Sequence, residues 1–252
     1  MAVSVVLLAA GYGTRLYPLT KNRSKALLPL GPGVILDGVI RSLGDIPALG
    51  RCVLVTNSQF AEAFRAWQRE RSTACEILDD GTASPETRLG AIRDLEVARQ
   101  RVPPGDDLLV VGTDNVFEWS LGEFVSAARR HRPCASNALW QAPSKASATQ
   151  FSVVIRDAAE RITAFAEKSA QPPSADVSLA VYYFPAQMHA RIRQFLENQG
   201  NPDAPGYFLQ WLSGQEPVYG IMMPGTWYDI GSLQAYEDVQ RDWAKVSGDR
   251  RR

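Results

Sequence analysis

Val3 to Ala9 read as a continuous apolar run, with Ser4 its one small polar residue, that stops at Gly11. A run that is apolar on both faces and ends at a glycine turn belongs in the middle of a parallel sheet, covered on both sides by helices. Downstream, Leu36, Val39, Ile40 and Leu43 recur at helical spacing, and Cys52 to Thr56 form a second buried run. Ser58 is a candidate N-cap for a helix carrying Phe60, Phe64 and Trp67. A short strand from Glu76 to Leu78 precedes the polar stretch Asp79 to Glu86; a helix bearing Leu89, Ile92 and Leu95 and a strand from Leu108 to Val111 follow. This alternation is βαβ winding. From Ala135 onward the rhythm changes to strands at 135–141, 151–156, 162–166 and 179–184, with fewer helices between them. The expected fold class is α/β, a Rossmann-like open sheet, predominantly parallel but mixed, flanked by helices.

Composition narrows the picture. With 252 residues and 45% hydrophobic content, the chain can bury one large core. Its 27 basic and 27 acidic residues cancel, so no long-range field favours nucleic acid or an anionic membrane, and any anion site must be local. Cys52, Cys75 and Cys134 are odd in number, far apart and in no CxxC spacing, which speaks against a disulfide framework or a zinc site and for a reducing cytoplasm. The apolar N-terminus is short, lacks a basic leader and runs into a glycine turn, unlike a signal peptide. No window approaches the roughly 20 apolar residues that span a bilayer. The tail Lys245 to Arg252 is expected to be disordered.

The candidate chemistry starts directly after the first apolar run. Leu8-Ala9-Ala10-Gly11-Tyr12-Gly13-Thr14-Arg15-Leu16 leads into Tyr17-Pro18-Leu19-Thr20, and Ser24-Lys25-Ala26-Leu27-Leu28-Pro29-Leu30 follows. In open α/β sheets, ligands bind at the carboxyl ends of strands, where this loop lies. Without a Cβ, Gly11 and Gly13 let backbone N–H groups close on phosphate oxygens, while Arg15 and Lys25 supply charges that offset a triphosphate. A structural turn would also account for an isolated GxG. The dinucleotide fingerprint would need glycine where Leu16 stands, and no GxxxxGK[ST] occurs.

Taken whole, the string closely resembles the signature of the sugar-1-phosphate nucleotidyltransferases, the family of glucose-1-phosphate thymidylyltransferase, with Ser24 in place of the usual proline. The resemblance implies the nucleotide-diphospho-sugar transferase type of fold. It implies one domain over residues 1–244, with a nucleotide-binding half at about 1–118 and a sugar-binding half at about 119–244. Leu8, Ala9, Ala10, Gly11, Gly13, Thr14, Arg15 and Lys25 would hold the nucleotide. Further landmarks follow in order. Gly112-Thr113-Asp114-Asn115 resembles the family's Gly-Asp-Asn, and Trp227-Tyr228-Asp229-Ile230-Gly231 its W-x-D-x-G, so Asp114 and Asp229 are the implied ligands of Mg²⁺, which suits one or two carboxylates plus phosphate oxygens. Glu167-Lys168 resembles the family's Glu-Lys-Pro; Glu167 would contact sugar hydroxyls and Lys168 the sugar phosphate, with Asn115, Ser152 and Tyr182 completing that pocket. Ser152 and Ala180 stand where the family usually has glycine, which would reshape the sugar pocket; Thr113 also replaces a glycine, leaving the backbone there less free to approach substrate.

The implied reaction joins an NTP to a sugar 1-phosphate and releases pyrophosphate. Its nucleophile is already anionic, so Arg15, Lys25, Lys168 and Mg²⁺ would hold and neutralise two anions. His131 and His189 have no part in it and are expected on helix surfaces. The base-reading region departs from the thymidylyltransferase pattern: Asp79 and Asp80 stand there, with Gly90 beyond. Their carboxylates either accept from amino and imino groups of a base such as guanine or cytosine, or cap a turn. Alternatives are the same chemistry on a non-sugar phosphate or phosphonate, a glycosyltransferase using Asp79-Asp80, and a catalytically idle nucleotide-sugar-binding subunit. Without a hexapeptide repeat, the chain is expected to be a monomer or small homo-oligomer.

Overall fold

The structure is a computed structural model that describes residues 1–248. Its first half comprises β1 (Val3–Leu8), β2 (Pro29–Leu30), β3 (Gly33–Val34), α1 (Ile35–Ser42), β4 (Leu49–Thr56), α2 (Ala61–Arg71), β5 (Cys75–Asp79), α3 (Ala91–Arg99), β6 (Asp107–Gly112) and β7 (Asn115–Phe117). The second half comprises α4 (Leu121–Ala128), β8 (Ala135–Gln141), β9 (Val153–Arg156), β10 (Ile162–Ala166), β11 (Asp176–Phe184), α5 (His189–Glu197), α6 (Pro205–Ser213), β12 (Val218–Met222), β13 (Trp227–Asp229) and α7 (Leu233–Gly248).

Strands β5, β4, β1 and β6 lie side by side and parallel; β11 joins β6 antiparallel. Beyond β6 the sheet forks at β11, with β8 and then β12 along one edge of β11 and β9 with β10 meeting it at Val177 on the other. The chain winds outward from β1 through β4 to β5, and α3 then carries it back across to β6 on the other side of β1. Such a reversal of winding opens a crevice at the carboxyl end of the sheet, here beyond Leu8 and Gly112.

The continuous apolar run of β1 has a direct cause. Val5 and Leu7 face one core with Leu36, Phe64 and Phe124, while Val6 faces a second core with Ile92, Leu95, Ile192 and Phe208. Strand side chains alternate between faces, so a strand covered on both sides is apolar except where a polar group is satisfied, as buried Ser4 is by donating to Asp106 at 2.6 Å. A third, smaller cluster packs Leu16 and Leu28 against Val116, Ile230 and Tyr236. It pins the glycine loop and the Lys25 segment to β7, β13 and α7; the Tyr236 hydroxyl donates to the Pro29 carbonyl at 2.7 Å.

Several expectations need correction. Ser58 does not cap α2: its hydroxyl donates to Asp79, and the Asn57 carboxamide oxygen accepts from the Phe60 N–H instead. Leu89 precedes α3. Helix α7 runs to Gly248, so 245–248 are helical; the rest of the tail expected to be disordered lies outside the described residues. Helices α5 and α6 go beyond the expected pattern; α5 is short with three basic or histidine side chains in its first turns, and α6 opens at Pro205-Gly206, a pair that reads as a turn.

Candidate functional site

The loop after β1 is built to expose backbone. The Ala9 N–H donates to Val55, and the carboxamide of fully buried Asn57 donates to the Ala10 carbonyl at 2.8 Å. The Leu8 carbonyl accepts from the Thr113 N–H and from its hydroxyl at 2.8 Å, so Thr113 seals β6 to β1. A Cβ at Gly11 would meet nothing within 4 Å, leaving that backbone open to approach from solvent. Gly13 is in the left-handed region at φ 63°, where the Thr20 hydroxyl clamps its carbonyl at 2.7 Å. Leu16 is buried in the small cluster, which leaves Thr14 and Arg15 exposed at the turn.

Asp114 and Asp229 meet because β13 pairs antiparallel with β7, placing Asp229 opposite Asn115, and the Ile230 N–H donates to the Asp114 carbonyl at 3.0 Å. Asn115 organises this corner rather than facing outward. It is buried, accepts from the Trp227 indole at 2.7 Å and donates to the Gly112 carbonyl at 2.9 Å. Lys25 Nζ lies 2.9 Å from Asp114 Oδ2. A Cβ on Gly231 would come within 2.6 Å of Asp229 Oδ2 and 3.9 Å of Arg15 Nη1, so the arginine reaches the same corner.

The electrostatics agree. Burial alone would raise the Asp114 pKa, but the Lys25 ammonium and its hydrogen bond, with Arg15 beyond, hold it below the usual carboxylate range. Asp229 is pushed up to about 6, by burial first and by the Asp114 charge second, against the opposing pull of Lys25, Arg15 and Lys168. Two carboxylates compete for one space while three cations surround it.

Glu167 and Lys168 follow β10. The Glu167 side chain is enclosed, Lys168 is 62% exposed, and their charged ends are 3.8 Å apart. Tyr182 is buried on β11, and its hydroxyl pKa is raised by burial, then by Glu167 and Asp114, so both carboxylates border one space. The Ser152 hydroxyl already donates to Glu167 Oε2.

Asp79 and Asp80 behave as turn residues. Asp79 accepts from the Ser58 hydroxyl and the Gly81 N–H, and Asp80 from the N–H and hydroxyl of Thr82. Thr82 in turn contacts the buried Tyr12 hydroxyl at 3.2 Å. Gly90 has φ 90°, and a Cβ there would sit 2.7 Å from the Pro202 carbonyl, so packing alone demands glycine.

Sequence reasoning missed Asp94. It is buried on α3 with Oδ1 lacking a hydrogen-bond partner, and its carboxyl is pushed up to about 8 by burial first and by Asp80 second. The available signal was an acid on the same helical stripe as Ala91, Leu95 and Ala98. His189 is also corrected: it is buried at the start of α5, not on a helix surface, and burial lowers its pKa. His131 stacks on Tyr219 at 4.1 Å.

The chain is similar to known proteins over most of its length. A glucose-1-phosphate adenylyltransferase of Corynebacterium diphtheriae is 26% identical over 97% of this chain, which spans 64% of that relative's length. A protein of Sulfolobus acidocaldarius named as a mannose-1-phosphate guanyltransferase is 25% identical over 97% of the chain and 62% of its own length. Among solved structures, one from Bacillus anthracis, described as a glucose-1-phosphate thymidylyltransferase in complex with a sucrose, superposes with a TM-score of 0.81. It covers 95% of this chain and 94% of that one at 19% identity, a likeness of fold. The nucleotidyl transferase family model matches residues 4–246, a span that takes in the glycine loop and both aspartate segments, and the chain therefore belongs to the nucleotidyl transferase family.

Proposed function

We propose that this chain joins a nucleoside triphosphate to a sugar 1-phosphate and releases pyrophosphate. The observation that carries the reading is the convergence of Arg15, Lys25, Asp114, Asp229 and Lys168 at the point where the sheet reverses its winding. The relatives named above act on sugar phosphates with different bases, which supports the chemistry and leaves the base to this chain's own loop.

The residues suit a divalent cation. Burial first and the Asp114 charge second raise the Asp229 pKa, and a divalent cation held by the two carboxylates would relieve that repulsion. Among the described residues no group of three or more carboxylates, histidines and cysteines forms, so Asp114 and Asp229 would suit Mg²⁺, which takes one or two carboxylates along with phosphate oxygens, better than a metal needing an all-protein cage. When bound, the ion would offset charge on the triphosphate. Arg15 and the backbone at Gly11 would hold the triphosphate, and Lys168 the acceptor phosphate. An acceptor oxygen then bonds to the α-phosphorus as the bond to the bridging oxygen breaks and pyrophosphate leaves. No general base is required, and catalysis is positioning and charge neutralisation.

Ser152 favours a second reading of the acceptor. Because its hydroxyl occupies Glu167 Oε2, and Ala180 packs its methyl against Gly112, the pocket has less room and one fewer free acceptor atom for a hexose. A smaller or less hydroxylated phosphate, or a phosphonate, fits that description. Pyrophosphate release measured for each common NTP against a panel of sugar 1-phosphates and simpler phosphates, with Mg²⁺ and with chelator, tests both readings. Turnover that needs Mg²⁺ supports the transferase. Silence across the whole panel would overturn it in favour of an idle binding subunit.

A further inference from the structure

The other chemistry-bearing pair in the chain lies at the opposite end of the sheet's parallel edge. Cys52 on β4 and Cys75 on β5 are register partners. The Cys52 thiol donates to Cys75 Sγ at 3.0 Å. Paired strands hold their backbones ~4.8 Å apart, inside the ~4.4–6.8 Å Cα window of a disulfide. Closing the sulfurs to bonding distance needs a movement of about 1 Å. A groove of about 480 Å³ bordered by Ile40, Leu43, Thr73, Ala74 and Glu76 opens on the pair. Cys52 is partly exposed to it, while Cys75 is buried.

We propose that Cys52 and Cys75 are a modification site: a dithiol that a low-molecular-weight disulfide converts reversibly into a bond between β4 and β5. The Cys52 thiolate attacks one sulfur of the reagent, breaking its S–S bond, releasing one thiol and leaving a mixed disulfide on Cys52. The Cys75 sulfur, giving up its proton, then attacks Cys52 Sγ and expels the second thiol. Two protein thiols lose two electrons and two protons, and the reagent disulfide gains both. The order follows from access, since both cysteines line the groove but Cys52 is the more exposed and Cys75 is buried, and from the Cys75 thiol, whose hydrogen bond to Cys52 and burial keep it protonated.

The bond would staple the outermost strand of the parallel edge, the one held by a single neighbour. It lies at the start of β5, whereas Asp79 and the nucleotide crevice lie at the strand's far end.

Oxidised glutathione provides the test on the full chain, followed by alkylation of free thiols, trypsin and mass spectrometry. Cleavage after Arg51 and Arg71 separates the two cysteines into different peptides, 52–65 and 72–88. The expected product is these two peptides linked to each other, with Cys134 alkylated. The linked protein should melt roughly 5 °C higher than the reduced protein, reverting with a dithiol. In Cys75→Ser the reaction should stop at a stable glutathione adduct on Cys52. A lasting adduct on wild-type Cys52, linkage through Cys134, or three free thiols after treatment would each overturn the proposal, and these readouts need only the wild-type chain.

Discussion

Lys25 lies within hydrogen-bond distance of Asp114, and it reaches it from a short turn, Lys25–Leu27, rather than from a long helix. Its partner Asp114 keeps about a third of its side chain accessible, so the pair is open to a ligand that would exchange one contact for another. Replacing Lys25 by methionine should lower kcat by ~10²–10³ with little change in the melting temperature, as removal of one preorganised charge does in other sites. A parallel fall in stability would mean that Lys25 holds the fold instead.

Asp94 makes a different prediction, about pH. Its folded pKa, about 8, lies above the reference value of 3.8 because burial and Asp80 disfavour the charge. Between those values the folded chain holds a proton that the unfolded chain has lost. The associated stability is therefore full below about pH 4 and declines as pH rises to about 8. Asp94→Asn removes the ionisation. The unfolding free energy of the variant should stay level across that window while that of the wild type falls, opening a gap on the order of 6 kcal/mol, read by urea denaturation. Curves that run parallel would show that Asp94 does not carry the proton.

At the scale of elements, two short pieces do most to place the site. The first is the turn at Gly13. Alanine there would have to adopt φ 63° with its Cβ 3.2 Å from Thr20, so Gly13→Ala should cost about 1–2 kcal/mol in chemical denaturation. The second is the β7–β13 pair, three residues on each side, which carries Asp114's neighbour and Asp229. The Trp227 indole clamps that pair through Asn115, with Phe151 packed edge-on to the ring at 5.1 Å. Trp227→Phe keeps most of the packing but leaves the Asn115 oxygen without its donor. Half-saturating Mg²⁺ in the pyrophosphate assay should rise ~10-fold, the size of effect expected for a group that orients a metal ligand. An unchanged Mg²⁺ requirement would detach this clamp from the metal.

Across the whole molecule, the division into a nucleotide half and a sugar half is functional shorthand laid over one continuous sheet. β6 from the first half is hydrogen-bonded along its length to β11 from the second, and one core cluster runs from Val3 to Trp227. Calorimetry should therefore show a single cooperative transition. A fragment of residues 1–118 should fail to fold, since it would expose the β6 edge and the face that α4 covers.

Much of this was legible in the chain itself. The run at Val3, the strand at Leu108 and the helix at Leu36 follow from hydrophobic period, and the glycine loop from the conformational freedom of two residues; these are local properties that a short window of sequence contains. The order of the phosphate and metal landmarks was legible too, through the resemblance of the glycine loop, Gly112–Asn115 and Trp227–Gly231 to a family signature. What only the tertiary structure decided is which distant segments touch. Asp229 reaches Asp114 through a three-residue strand pair too short to register as a pattern. Ser152 turned out to be bonded to Glu167, and Asp79 and Asp80 to their own turn, because a side chain's partner depends on the packing around it. Cys52 and Cys75, far apart in sequence and unpromising on spacing alone, became neighbours when β5 chose β4. Strand pairing joins residues without regard to their separation in sequence, so the chain determines which elements form, and the fold determines which residues meet.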